Sequence, residues 1–146
     1  MPIRLRKLFR LTARESRDLF RAQGALLMAQ WRLWRQPLGE MAMREPGREV
    51  PATGDPVRAL ALSKAIRRAA NHGVFRPFCL VQSLALRSLL EGEEIRGSTI
   101  RVGVRRTAGE FRAHAWIRWG DAVLGDDPSH VAEFIEVNDL RVLESR

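Results

Sequence analysis

The chain has a single cysteine, Cys79, among its 146 residues. An intrachain disulfide is therefore excluded, and no second cysteine stands near a histidine at the spacing of a zinc site. Lysine is equally scarce, with only Lys7 and Lys64, so the formal charge of +8 comes almost wholly from arginine. Those arginines are scattered along the chain, and the clustered footprint of a nucleic-acid-binding surface is missing. Long apolar runs are absent too. The basic start is followed by Arg14, Glu15, Arg17, Asp18 and Arg21, which leave no room for a signal-peptide core. The apolar stretch 24–30 falls well short of the roughly 20 residues that a spanning helix needs. These absences predict a reducing, cytoplasmic setting, no transmembrane segment and no nucleic-acid partner.

What is present divides by period. Residues 11–36, rich in Leu, Ala, Gln and Arg, read as one long helix stopped by Pro37 and Gly39, with a short second piece after it. Its apolar residues Phe20, Leu26, Leu27, Trp31 and Trp34 approximate one stripe, opposed by Arg17, Arg21, Arg32 and Arg35. That stripe is expected to pack on the core. Residues 45–56 carry three prolines and two glycines and form a loop. Asp55 and Pro56 then supply an N-cap and a first helical residue for a helix with inner face Ala59, Leu62, Ile66 and Ala69, closed by Asn71, His72 and Gly73. After a turn over 74–78, Cys79 opens a helix that is apolar on most sides and stops at Gly92. A helix so little divided into faces belongs at the centre of the fold.

Beyond Gly92 the period changes to two. Ile100, Val102 and Val104 alternate with Thr99, Arg101 and Gly103, a turn falls at 107–109, and alternation resumes over 110–119. Gly120 and Asp121 make a second tight turn into a short strand over 122–125. Helices before strands predict an α+β domain, with an antiparallel sheet in the second half. The expected division is a helical extension over 1–50 and a catalytic domain over 51–146.

Cys79 sits where a thiol gains most from a helix. The N-terminal end offers unpaired N–H groups and the positive end of the dipole, which favour a thiolate and could face an oxyanion. A thiolate nucleophile needs a base, and the chain has three histidines. His72 and His130 fall at end or loop positions, where solvated side chains are expected. His114 lies mid-strand, on the face that carries Trp116. A carboxylate that orients the imidazole would come from Asp126 or Asp127 across the turn at Gly120. A two-residue loop puts Asp127 opposite His114, and a one-residue shift puts Asp126 there, so spacing leaves both open.

The block Arg76-Pro-Phe-Cys79-Leu-Val-Gln-Ser-Leu-Ala-Leu-Arg-Ser-Leu-Leu90, with Arg101-Val-Gly-Val-Arg105, Phe111-Arg-Ala-His114-Ala-Trp-Ile117 and Val123-Leu-Gly-Asp126, resembles the transglutaminase-like leader peptidases of lasso-peptide biosynthesis. The resemblance implies a papain-like cysteine peptidase fold without cofactor or metal, with Cys79 as nucleophile, His114 as base and Asp126 as orienting acid. It also implies the split form of the family. A separate small leader-recognition protein would then present a lasso-peptide precursor, and an asparagine-synthetase-like cyclase using ATP would close the macrolactam afterwards. One departure is Ile117-Arg118, where relatives often carry valine and an acidic residue. Two other classes remain possible for these residues: an acyltransferase using the same triad, and a non-catalytic basic adaptor for nucleic acid or an acidic peptide.

Overall fold

A computed structural model describes residues 11–35, 50–73 and 77–137. The described elements are three helices, α1 (Ala13–Arg35), α2 (Pro56–His72) and α3 (Cys79–Gly92), then strands β1 (Ser98–Thr107), β2 (Glu110–Trp119) and β3 (Ala122–Leu124), a short helix α4 (Pro128–Val131), and β4 (Ile135–Glu136). The strands form one antiparallel sheet in the order β3-β2-β1-β4. The α+β expectation, helices first and an antiparallel sheet after, is met. The short helical piece expected after Pro37 and the residues 74–76 of the turn before Cys79 lie outside the described residues.

Helices α1 and α2 start where local chemistry satisfies the first N–H groups. In α1 the Thr12 hydroxyl accepts from Glu15 N at 3.2 Å, while the Glu15 carboxylate accepts from Thr12 N at 2.8 Å, a reciprocal capping box. In α2 the Asp55 carboxylate accepts from Val57 N at 2.9 Å, with Pro56 as first helical residue. The inner face of α2 is as expected: Ala59, Leu62, Ile66 and Ala69 are all buried.

The stripe assigned to α1 is not the buried one. Of its five residues only Leu26 is in the core; Phe20 is 81% exposed and Trp34 79%, with Leu27 and Trp31 about half exposed. The face that packs on α2 and α3 is Asp18, Ala22, Leu26 and Ala29. Its small side chains let the helix axes approach, and the larger apolar groups are left on the solvent side. Trp31 is partly covered by the Arg35 guanidinium, 4.4 Å above its ring.

Asp18 is buried because it is paired. Arg58 of α2 donates from Nη1 and Nη2 to its two oxygens at 2.5 and 2.7 Å, and from Nε to Glu93 at the end of α3 at 2.5 Å. Arg21 of α1 reaches the same Glu93 at 2.6 Å. This network ties all three helices together on one side of the core. On the other side α3 lies against the sheet, where Val81, Ala85, Leu86 and Leu90 join Ile117 and Leu124 in one apolar cluster.

Candidate active site

Phe78, the residue before α3, has an extended backbone and no side-chain oxygen to cap the helix. The first helical bond runs from Gln82 N to Phe78 O at 3.0 Å, so the amides of Cys79, Leu80 and Val81 precede the ladder and carry the positive end of the dipole. The Gln82 side chain turns back and donates to Pro77 O at 3.1 Å, which fixes the entry of the chain into the helix. Cys79 is thus held at the start of α3, half-buried and in no disulfide.

Its partner strand is set by where pairing stops. β1 and β2 join through a two-residue turn, Thr107 opposite Glu110, which places Gly103 opposite His114. β2 and β3 pair only from Trp119↔Ala122 to Ile117↔Leu124. Ala115 lies past the end of that ladder, and its N–H donates to Cys79 Sγ at 3.4 Å. The sulfur therefore sits where a longer β3 would have continued.

Extrapolating the Trp119↔Ala122 register would set Asp127 across from His114. The structure sets Asp126 there instead. At Gly125 the backbone takes φ of +81°, a left-handed conformation that breaks strand alternation, and its N–H donates to the buried Ser63 hydroxyl at 2.7 Å. The bend turns the Asp126 carboxylate onto His114 Nε2. Asp127 is left to cap α4, accepting from Ser129 N at 2.9 Å and Ser129 Oγ at 2.7 Å. Pairing arithmetic presumed an unbroken strand, and the glycine ends it.

His130 corrects a further expectation. It is not a solvated loop residue: Pro128 starts α4, and the single turn carries His130 back so that its Nδ1 lies 2.9 Å from Asp126 Oδ2, the oxygen that also meets His114. The His130 ring packs edge-on to His114 with centroids 4.9 Å apart. Phe134 closes the group, 5.1 Å from His114 and 5.3 Å from His130. Gly103 makes room for this packing, since a Cβ there would meet the Trp116 ring at 2.7 Å and Phe134 Cβ at 2.8 Å. The only sequence trace of His130's position is its spacing of four from Asp126, across an Asp-Pro helix start. Neither Phe134 nor Ser63 leaves such a trace.

Burial of Asp126 raises its pKa, but hydrogen bonds from His130, His114 and the Asp127 amide outweigh that effect and hold it below the usual carboxylate range. Asp126 is thus an anion, with Oδ1 accepting from Asp127 N at 2.7 Å and Oδ2 facing two imidazoles. A neutral His114 that donates its Nε2 proton to this carboxylate carries its lone pair on Nδ1. That is the tautomer a base requires.

Cys79, His114, Asp126 and His130 line one cleft of about 180 Å³, with Arg67 of α2 on its wall. The volume is below the roughly 300 Å³ at which pockets for whole small molecules begin. It suits a few atoms around one reacting bond. A thiol, a correctly oriented imidazole and uncapped helix amides can together attack a carbonyl and stabilise the resulting oxyanion. His72, at the C-terminal end of α2, takes no part in this cluster.

A family model described as the transglutaminase-like superfamily matches residues 20–139, taking in most of α1 as well as the cleft. No curated protein and no solved structure gives a significant match.

Proposed function

The chain belongs to the transglutaminase-like superfamily, and from that premise we propose that it is a cysteine peptidase that removes the leader from a lasso-peptide precursor at the leader–core junction. The observation that carries this reading is the meeting of Cys79 with the His114–Asp126 pair in one small cleft at the start of α3. The lasso-specific part rests on the resemblance around Cys79, His114 and Asp126 and on no geometry.

In the proposed reaction the Cys79 thiolate attacks the carbonyl carbon of the scissile bond. The oxyanion faces the uncapped amides of α3. His114 Nδ1, protonated by the thiol, gives that proton to the leaving nitrogen, and the C–N bond breaks to leave a thioester on Cys79. A water then loses a proton to His114 and attacks the thioester. The leader departs with a new carboxylate and the core peptide with a free amine. Asp126 stabilises the imidazolium throughout without taking its proton. In the resting chain Cys79 Sγ is bonded to the Ala115 amide rather than to the imidazole. Substrate entry would tighten the thiol–imidazole contact, as is common in unliganded sites.

A separate small leader-recognition protein would present the precursor, and an asparagine-synthetase-like cyclase would consume the freed amine. The test is mass spectrometry of precursor incubated with the chain and its recognition protein, with and without an added primary amine. Hydrolysis at the junction, unaffected by the amine, is the expected result. Quantitative capture of the acyl group by the amine would make the chain an acyltransferase. No product under either condition would favour a non-catalytic role.

A further inference from the structure

A triad needs one imidazole on its carboxylate, and here there are two. Asp126 Oδ2 meets both His114 Nε2 and His130 Nδ1, and ligand atoms of the three residues lie within 4.8 Å of one another, brought together from β2, the bend after β3 and α4. We propose that these three atoms form an inhibitory site for a divalent cation of borderline softness, of which Zn²⁺ is the type.

The donor set suits such an ion. Two imidazole nitrogens and one carboxylate oxygen are ligands that Zn²⁺ takes at about 2.0–2.2 Å, with the fourth position left to water. The atoms already converge, so coordination requires them to part slightly around the ion rather than to be gathered. Phe134, against both imidazoles, and the Asp127 amide, which donates to Asp126 Oδ1, hold the rings and the carboxylate in place. The side chains of His114 and Asp126 are 19% and 16% exposed and that of His130 43%, so an ion can enter from the cleft. Arg67 stands on the cleft wall and its charge also acts on Asp127, and Arg105 lies over the Phe134 ring at 5.0 Å.

Inhibition follows from the tautomer, and this consequence alone rests on the peptidase reading. While Asp126 holds the Nε2 proton, Nδ1 has the lone pair that takes a proton from Cys79. A cation on Nε2 occupies that nitrogen, and a neutral ring must then carry its proton on Nδ1. The base is lost although the sulfur is untouched. Metal and mechanism therefore compete for one nitrogen, and removing the ion restores the base.

The binding test uses the full chain carrying Cys79→Ala, which removes the thiolate as a ligand. Titration with Zn²⁺ by calorimetry, and with Co²⁺ by visible absorption, should show one saturable equivalent. Adding His130→Asn to that chain should weaken binding by about 10–100-fold, since losing a ligand costs at least as much as losing a supporting partner. His72→Asn, at a histidine outside the cleft, should bind as the parent does. Circular dichroism and thermal melting verify that each variant is folded. Absence of a saturable equivalent, an unchanged affinity in His130→Asn, or an equal loss in His72→Asn would overturn the site. In the unmutated chain Zn²⁺ should stop precursor cleavage, with recovery on chelation. Binding with undiminished cleavage would overturn the inhibitory role, whereas binding by a chain that cleaves nothing would count against the peptidase reading and leave the metal site standing.

Discussion

Two clusters of partly buried charge stand at opposite ends of α3, and they differ in what they leave unspent. In the Asp18–Arg58–Glu93 cluster Arg58 donates from Nε and both terminal nitrogens, and both carboxylates are met by guanidinium hydrogens. In the Asp126 cluster the carboxylate is equally well met, but its histidine partners each retain a second ring nitrogen. The first cluster is closed and joins helices. The second is open, with both imidazoles lining a cleft that also holds the thiol. Unspent valence separates the two clusters, and burial alone does not.

Breaking each cluster should expose that difference. The largest expected effect is on chemistry: His114→Ala should lower precursor cleavage by about 10²–10⁴-fold, the usual contribution of a general acid–base, with the thermal midpoint little changed. Asp126→Ala should be less severe and leave weak residual turnover, because the imidazole survives without its orientation. On the closed side, Arg58→Ala strands the Asp18 carboxylate against the core and should cost about 3–5 kcal/mol in denaturant unfolding. Refilling that space with Asp18→Leu and Arg58→Met together should recover much of the loss, as apolar replacement of a buried pair often does.

Acid sharpens the comparison further. Hydrogen bonds from Arg58 hold the carboxyls of Asp18 and Glu93 below their ordinary values, against the opposing effect of burial. A depressed folded-state pKa stabilises fully above the unfolded pKa, near 4, and the benefit is lost as pH falls through the folded value. The thermal midpoint should therefore drop below about pH 4, and the Arg58→Ala chain should show a flatter dependence over that window. The smallest effect is expected at Asp127→Ala, which removes only the cap of a four-residue helix. Cleavage should stay near that of the unmutated chain; a loss as large as that of Asp126→Ala would mean that the cap, rather than the carboxylate on His114, governs the site.

The sequence was most informative where local rules act alone. Asp55-Pro56 starts α2, Gly92 ends α3, and period-two alternation marks β1 and β2, all without help from tertiary contacts. Cys79 at the start of α3 and His114 on the neighbouring strand were legible for the same reason. The failures occurred where a tertiary demand overrides the local pattern. On α1 the wish to bury Phe20 and Trp34 yields to close packing through Ala22 and Ala29, with Asp18 carried inward by its pairing to Arg58. The choice between Asp126 and Asp127, which spacing left open, is made at Gly125, where one left-handed residue ends the strand and turns Asp126 onto His114. His130 was hidden because a single helical turn after Asp-Pro has no periodicity to read.

The claim on which all else depends is that Cys79 is the nucleophile. Its most direct test is cleavage of the precursor, in the presence of the recognition protein, by Cys79→Ala chain shown to be folded by circular dichroism. The account predicts no junction product, because the chain holds no other thiol to form the acyl intermediate; leader release at the wild-type rate would contradict it.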